Sequence, residues 1–554
     1  MPVHAQEHLN IPTKDILSWC YDNRPAFDQE KPIFIDAANP KRSISATQAY
    51  TLIRKLIAGF RRSGLQRGDC VCLHSFNNVH YPILVLGIVG AGGVFVGTNP
   101  GYTSYELHHA LKTSRAKFVI TEKELLPALQ QPVVDLGIPD NRVFFAGQAG
   151  ITNQARKHES WRTLLEHGEE DWVRFDDLET ARKTTAFLMF SSGTTGLPKA
   201  AQLSHYNLVA EHTLVHENPE HPENFAMSRV CALPMFHAAA APYVHITTLR
   251  SGRQSIIMRR FHLDDFLKHH EQHKVTSVMC VPPMVLAMVG HAAASPANAA
   301  HVRQSLRFVV HGIAGAAPLD VETQKQFQAL LSPDATFAQI WAMTETSCLA
   351  SVFYHPEGDE TGSVGRFMPN LDVKIVDDED KEIDPPYDRR GELCIRGPTI
   401  IRGYLDNSEA NNRDWDQDGF FHTGDILYCD SKTKLWYVVD RKKELIKVRG
   451  FQVAPNEIEG VLLSHPGIQD VAVIGVDSPD GEVPRAYVVK RDGGLDVTET
   501  VVRRWVETRL ARYKRLDGGV KFVDAIPKTA SGKILKRILR DEAKAEAKRD
   551  IAKL

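Results

Sequence analysis

The sequence is poor in cysteine and has no pattern that would bring its cysteines together. The eight cysteines among 554 residues are Cys20, Cys70, Cys72, Cys231, Cys280, Cys348, Cys394 and Cys429. They show neither the paired spacing of a zinc site nor the density of a disulfide-stapled domain. We therefore expect free thiols and a reducing compartment.

The chain also lacks a sizeable net charge, the pattern of a secretory signal at residues 1–8 and a long uninterrupted apolar run. A formal net charge of -2 offers no electrostatic basis for nucleic acid or an anionic membrane as the main partner. Residues 1–8 show no basic and apolar regions of a secretory signal. The most apolar stretch, 81–100, contains five glycines, and it predicts a buried helix, a break and a strand instead of a membrane span.

Strand-like and helix-like segments alternate along the first half of the chain. At 554 residues, two or more domains are expected, and 43% hydrophobic with 24% charged residues is typical of a soluble globular protein. Apolar spacing predicts a helix over 43–64 and strands at 70–73 and 117–121, with a capped helix start within 99–107. This alternation predicts a mostly parallel, layered α/β sheet.

One stretch, Ser-Ser-Gly-Thr-Thr-Gly-Leu-Pro-Lys-Ala at 191–200, organises the rest. An apolar run of strand length precedes it and Ser204, a candidate helix N-cap, follows it, so a loop between a strand and a helix is predicted. Its hydroxyls, its glycines and Lys199 suit a phosphate cradle. The spacing is not that of the common P-loop, and a solvated Ser/Thr/Gly loop is the plain alternative.

The full order of this stretch resembles the nucleotide-binding loop of the adenylate-forming (ANL) superfamily, which includes acyl-CoA synthetases and 4-coumarate-CoA ligases. Further matches follow in the family's order, at Gln339-Ile340-Trp341-Ala342-Met343-Thr344-Glu345 and up to the Ser-Gly-Lys loop at Lys533. The resemblance implies an α/β fold: a large N-terminal AMP-binding domain of layered α/β subdomains (1–439) and a small mobile α+β C-terminal domain (440–554). It implies an acid-CoA ligase that uses ATP, Mg²⁺ and coenzyme A.

The resemblance also implies the nucleotide site. Trp341 would stack on adenine, Thr344 would reach the α-phosphate, Asp425 would accept the ribose hydroxyls, and Glu345 would bind the metal, since a carboxylate oxygen suits Mg²⁺. The complete ATP- or AMP-binding set is Ser191, Ser192, Gly193, Thr194, Thr195, Lys199, Gly315, Ala316, Gln339, Trp341, Thr344, Asp425 and Arg441.

Two faces of the C-terminal domain are expected to serve two half-reactions. Lys533 would bridge the acyl carboxylate and the α-phosphate during adenylation, with Lys447 and His237 as further catalytic candidates. Rotation about the hinge residue Lys443 would then exchange this face for the thioester-forming one. The implied CoA-binding residues are Arg260, Arg449, Gly450 and Gln452.

The acyl pocket is where the sequence departs from the family pattern. Its implied residues are His237, Ala239, Ala316, Ile340 and Ala342. Ile340 and Ala342 replace two glycines and would narrow the pocket, while Ala239 stands where hydroxycinnamate ligases commonly have tyrosine. We expect an aliphatic or small aryl acid over a para-hydroxycinnamate.

Three alternatives and a cellular address accompany this interpretation. A luciferase-like oxidase, a stand-alone enzyme that loads a carrier protein, and a non-catalytic nucleotide-binding protein remain open, although only a charged tail follows Lys533 and free CoA is favoured as acceptor. The final Ala552-Lys553-Leu554 resembles a peroxisomal tripeptide read by an import receptor. We expect a peroxisomal protein, or otherwise a cytoplasmic one.

Overall fold

The structure, a computed structural model, describes residues 4–22, 24–145, 158–191, 198–448, 451–478, 481–491, 497–510, 512–529 and 532–551. Within these residues the strands β1 to β27, in chain order, are Pro32–Asp36, Ser43–Ser45, Cys70–His74, Val94–Gly97, Ala116–Thr121, Val143–Phe145, Glu159–Ser160, Thr185–Ser191, Lys199–Ser204, Ser228–Cys231, Gln254–Ile257, Ser277–Cys280, His311–Ala314, Thr336–Gln339, Ala342–Met343, Cys348–Leu349, Ser351–Val352, Arg366–Phe367, Asp372–Val376, Gly391–Arg396, Phe421–Cys429, Trp436–Arg441, Ile446–Val448, Phe451–Val453, Ile468–Ser478, Gly481–Lys490 and Val520–Phe522. The α-helices α1 to α16 of the same residues are Ile16–Tyr21, Ala46–Arg62, Tyr81–Gly90, Ser104–Ser114, Leu126–Asp135, Leu178–Lys183, His205–His216, Thr248–Ser251, Leu263–Gln272, Pro282–Ala293, Pro296–Leu306, Val321–Gln328, Ser408–Asp414, Pro455–Leu463, Glu499–Glu507 and Lys536–Ile551.

Two seven-stranded sheets form the body of the N-terminal part. Their strand orders are β7-β6-β5-β3-β4-β8-β9 and β14-β13-β12-β10-β11-β1-β2. The pairs are parallel except β8 with β9 and β1 with β2, each at a sheet edge. Helices cover these sheets, as parallel sheets require. The predicted layered α/β fold is confirmed.

Helices α2 and α3 pack closely against one another in the shared core. Ser45 caps α2 in a reciprocal capping box, and the residues of α3 are all buried. A Cβ added at Gly87 would lie 2.6 Å from the Cβ of Leu56, so glycine permits this approach. The apolar stretch at 81–100 is thus the predicted buried helix followed by strand β4. No helix within the described ranges has the length and apolar character needed to cross a membrane.

The C-terminal part has its own core. Strands β25, β26 and β27 form one sheet, and its apolar side packs with residues of α14 and α15. The predicted small α+β domain is confirmed. The four-stranded sheet β19-β20-β21-β22 precedes it, and β22 ends at Arg441 while β23 begins at Ile446. The predicted boundary at 440 falls within β22.

Two sequence-based elements need correction. The phosphate loop joins strand β8 to strand β9, not to a helix, because Ser191 and Lys199 begin an antiparallel pairing. Helix α7 starts only afterwards, capped by Ser204 as predicted. The helix expected over 43–64 is preceded by strand β2, which pairs with β1, so α2 begins at Ala46.

Candidate active site

A cavity of about 690 Å³ lies at the carboxyl ends of three parallel strands. Val281, Gly315 and Ile340 directly follow β12, β13 and β14, and all three line it. The crevice beyond the carboxyl ends of parallel strands is where open α/β sheets bind ligands. Predicted residues that line this cavity are Ser191, Lys199, His237, Ala239, Gly315, Ala316, Ile340, Ala342, Thr344, Glu345, Arg441, Lys443 and Lys533.

Lys533 reaches this cavity from the C-terminal domain. The backbone around it forms a tight loop, in which the N–H of Thr529 donates to the carbonyl of Lys533 at 2.8 Å. Gly532 has a φ of +83°, and a Cβ there would lie 2.8 Å from the ring of Pro283 in the N-terminal domain. Glycine therefore allows the two domains to meet closely enough to place Lys533 in the cavity.

The environment of Lys533 disfavours its charge. Burial and the nearby Arg441 guanidinium lower the pKa of the ammonium to about 8. Among the described residues no carboxylate lies within 4.0 Å of its Nζ. An unneutralised ammonium in a partly buried pocket is well suited to an incoming anion.

His237 lines the same cavity as a neutral ring. Burial, with a contribution from Lys533, lowers the pKa of His237 to about 4. Its Nδ1 accepts the backbone N–H of Ala239 at 3.1 Å, which leaves the ring proton on Nε2. His237 therefore presents a hydrogen-bond donor, and not a charge, at neutral pH.

A chain of polar contacts links the phosphate-loop lysine to the predicted metal ligand. Lys199 Nζ lies 2.9 Å from Asp414 Oδ2 and 3.8 Å from the centre of the Tyr404 ring. Tyr404 Oη donates to Glu345 Oε1 at 2.8 Å. Sequence reasoning missed Tyr404 and Asp414, although Tyr404 follows a glycine with positive φ and Asp414 ends a short helix.

Glu345 fits the metal role assigned to it. Its carboxylate is buried at the cavity wall, one oxygen is held by Tyr404, and no hydrogen bond within the described residues reaches Oε2. A fixed carboxylate with a free oxygen is a suitable ligand for a hard cation. A second acidic group, Asp380, Glu392 and His422, has ligand atoms within 4.8 Å of one another. There, Lys442 Nζ already lies 2.8 Å from Glu392 and supplies the positive charge.

The predicted ribose carboxylate is already bound within the protein. Strands β21 and β22 place Asp425 opposite Arg441, with Arg441 Nε 3.3 Å from Asp425 Oδ1. The indole N–H of Trp341 donates to Asp425 Oδ2 at 2.8 Å. Trp341 is buried with its ring edge-to-face against Phe367 and is not among the described residues that line the cavity. The indole of Trp341 thus orients Asp425, and its stacking on adenine stays a prediction.

Gln339 also has partners within the protein. Its side chain is buried, its oxygen accepts from the N–H of Leu319, and its nitrogen donates to Leu319 and Gln324, each at 2.8 Å. The polar atoms of this amide are used to fix the turn after β13. A contact between Gln339 and the nucleotide stays a prediction.

Among the predicted CoA residues, the structure describes the side chain of Arg260 alone. Arg260 is exposed, with its guanidinium 4.2 Å from the centre of the Phe76 ring. Its role on a CoA phosphate stays a prediction. Several other predicted residues lie outside the described residues, or have side chains outside them: Ser192, Gly193, Thr194, Thr195, Lys447, Arg449, Gly450 and Gln452.

A buried charge cluster at the junction of the domains was not predicted. Lys536 Nζ lies 2.9 Å from Glu459 and 3.6 Å from Glu444. Burial raises the pKa of Asp440 to about 6, although Lys536 opposes that shift. Lys443, the predicted hinge residue, follows Asp440 by three positions in the chain and is exposed at the edge of the cavity. The predicted hinge residue therefore lies close to a buried charge cluster within the C-terminal part of the chain.

Comparison with known proteins covers nearly the whole chain. The family model for AMP-binding enzymes matches residues 22–405, and that for their C-terminal domain matches 457–533. Phenylacetyl-CoA ligase epaB of Aspergillus niger is 51% identical over 537 residues, 96% of this chain and 98% of that protein. Acyl-CoA ligase azaF of the same species is 51% identical over 534 residues, again 96% and 98%. Among solved structures, ATP-bound MatB from Rhodopseudomonas palustris superposes with a TM-score of 0.82 at 26% identity, over 95% of this chain and 98% of that one.

Proposed function

The chain belongs to the AMP-binding enzymes and is an ATP-dependent acid-CoA ligase, and we propose that it activates a small aryl or aliphatic acid with Mg²⁺ held at Glu345. The observation that carries the proposal is the meeting of Lys533, His237 and Glu345 in one cavity. Lys533 comes from the C-terminal domain and the other two from the N-terminal domain. A cavity that needs both domains supports a reaction controlled by their arrangement.

The first half-reaction joins two anions. An oxygen of the acid forms a bond to the α-phosphorus of ATP, the bond from that phosphorus to pyrophosphate breaks, and the acyl-adenylate results. Lys533 lowers the repulsion between the carboxylate and the α-phosphate, and Lys199 offers a second positive charge. Mg²⁺ at Glu345 would neutralise phosphate charge when bound. The CoA thiol then displaces AMP from the acyl carbon.

The lining of the cavity supports the size of the acid. Ala239, Ile340 and Ala342 all line it. A Cβ at Gly315 would lie 2.5 Å from Ile340 Cδ1, so the isoleucine packs directly against that backbone. The names of two similar proteins, a phenylacetyl-CoA ligase and an acyl-CoA ligase, favour the same class of acid.

Pyrophosphate release across a panel of acids tests this proposal. Short and medium fatty acids, arylacetic acids, benzoic acids and 4-coumarate are each assayed with ATP and Mg²⁺, with and without CoA. We expect an arylacetic or aliphatic acid to give the largest kcat/KM and CoA to sustain turnover. Faster turnover of 4-coumarate than of either class would contradict the substrate assignment, and activity retained after Mg²⁺ is removed with a chelator would contradict the metal assignment.

We also propose that the enzyme enters peroxisomes through Ala552-Lys553-Leu554, which lies outside the described residues. The support is the resemblance of this tripeptide to a receptor-read C-terminal address. A fluorescent protein fused to the N-terminus should colocalise with a peroxisomal marker, and removal of the last three residues should make it diffuse. Equal distribution of the two fusions would contradict the address.

A further inference from the structure

A second, smaller cavity lies directly behind the acyl end of the first. Ala239, Met279, Ile340 and Cys348 line both cavities, so the two cavities meet at these residues. The volume of this second cavity is about 60 Å³. That volume holds a few water molecules or one small substituent. We call it the distal cavity, and its polar lining includes Glu211, Arg229, Tyr243, His311 and His355.

Arg229 brings a buried positive charge to the distal cavity. The residue is 6% exposed, its Nε donates to Ser277 Oγ at 2.9 Å, and its guanidinium lies 4.4 Å from the centre of the Tyr243 ring. Within the described part of the chain no carboxylate lies within 4.0 Å of its nitrogens. Burial accordingly lowers the pKa of Arg229. A buried guanidinium without a paired anion is costly unless a ligand accepts its hydrogen bonds.

Tyr243 adds an unused hydroxyl. It lies on the π-helical turn Pro242–Thr247, is 8% exposed and lines the distal cavity. Its Oη is buried and has no hydrogen-bond partner among the described residues. An unsatisfied buried donor is unfavourable, and short π-helical segments are frequent at functional sites.

The other charged groups around the cavity do not neutralise Arg229. Burial raises the pKa of Glu211 to about 8, so this carboxyl is mostly protonated at pH 7 and is itself a donor. Glu223 attracts Arg229 from beyond 4.0 Å, but its carboxylate is already paired with Arg253. The cavity is therefore lined by the N–H groups of Arg229 and the O–H groups of Tyr243 and Glu211. The net charge of these three side chains is positive. Such a lining is complementary to an oxygen that accepts hydrogen bonds.

We infer that the acid activated by this enzyme carries a second oxygen function, a hydroxyl, carbonyl or second carboxylate, at the end remote from the reacting carboxylate. This group enters the distal cavity and accepts hydrogen bonds from Tyr243 and Arg229. The inference rests on the proposed function, because it assigns the far end of the same substrate. It narrows the substrate class from small acids to small acids with two oxygen functions.

Matched pairs of acids test the inference. Phenylacetate is compared with its 3- and 4-hydroxy forms, and hexanoate with 6-hydroxyhexanoate and adipate, by acid-dependent pyrophosphate release. We expect at least one oxygenated member to exceed its apolar partner in kcat/KM by about tenfold or more, since a site built to donate hydrogen bonds discriminates against an analogue that cannot accept them. Tyr243→Phe should reduce that ratio by about fivefold or more.

Two further variants make the result decisive. Arg229→Met should also reduce the ratio, and if it fails to fold, Tyr243→Phe decides alone. Tyr21→Phe is the matched control, because the Tyr21 hydroxyl is also buried without a partner in the described residues but lines neither cavity, and it should leave the ratio unchanged. Apolar acids turned over at least as well as every oxygenated partner, or a ratio that Tyr243→Phe does not alter, would overturn the inference alone. No release with any acid would instead overturn the proposed function.

Discussion

Replacing Lys533 with methionine removes the positive charge that the loop around Lys533 brings into the cavity. The adenylation half-reaction should fall by about 100- to 1,000-fold, or about 2.7–4 kcal/mol, the loss typical of one charge-stabilising donor. Single-turnover pyrophosphate release without CoA measures this step. Thioester formation from a supplied acyl-adenylate should stay within about threefold of the wild type, since that step does not need the ammonium at the α-phosphate.

The pH dependence of the same step gives an independent check on Lys533. Burial lowers its pKa to about 8, so the charged form is lost as the pH rises through that value. Between pH 7 and pH 9 the protonated fraction falls about tenfold, and kcat/KM for ATP in the adenylation step should fall by about the same factor, because kcat/KM follows the free enzyme. Omitting CoA keeps the titration of its thiol out of the measurement.

Two variants complete the experiment. Lys533→Arg keeps its charge throughout this range, so its activity, although lower, should not decline above pH 8. Lys528→Met is the matched control, because Lys528 lies in the same loop but pairs with Asp470 at 2.6 Å outside the cavity. A flat profile for the wild type, or the same alkaline decline in Lys533→Arg, would refute the assignment of charge to Lys533.

Three further outcomes follow from other contacts. Tyr404→Phe removes the 2.8 Å hydrogen bond to Glu345 and should raise the Mg²⁺ concentration for half-maximal adenylation by about tenfold. An unchanged Mg²⁺ titration would contradict the assignment of Glu345 as the metal ligand. Ile340→Gly should raise kcat/KM for octanoate over butyrate by about tenfold, and an unaltered preference would contradict the narrowing role. Gly59→Ala places a Cβ against the backbone oxygen of Leu164 and should lower the free energy of unfolding, measured in urea, by about 1–3 kcal/mol. Gly290→Ala is the control, because nothing lies within 4 Å of its added Cβ, and equal stability of the two variants would contradict the packing argument.

The sequence predicted elements best where the pattern was long and local. The buried helix α3 and the capped starts of α4 and α7 follow from apolar spacing and capping residues, and the structure confirms them. Strand β9 was missed because it is short and continues directly from the phosphate loop into the N-cap of α7. Pairing with β8 turns it into a strand, and such pairing is not visible in the local sequence.

Site residues were predictable where the motif itself lines the cavity. Lys533, Glu345, Arg441 and Lys199 all do. The residues that hold them, such as Tyr404, depend on segments distant in the chain. Trp341 and Gln339 have contacts that the motif does not indicate. Each stands at a motif position that is expected to contact the nucleotide. In the structure the Trp341 indole donates to Asp425, and the Gln339 amide donates to the carbonyl of Leu319.

The charges around the cavity explain why one pocket can serve successive steps. Arg441 is paired with Asp425 and Lys199 with Asp414, whereas Lys533 has no carboxylate within 4.0 Å among the described residues and is repelled by Arg441. Lys533 therefore enters the cavity as a cation that no close carboxylate neutralises, and we expect a polyanion in the cavity to favour docking of the C-terminal loop. Departure of pyrophosphate removes most of the negative charge that favours docking. The loop is then held more weakly at the moment when the second half-reaction requires the other face of the domain.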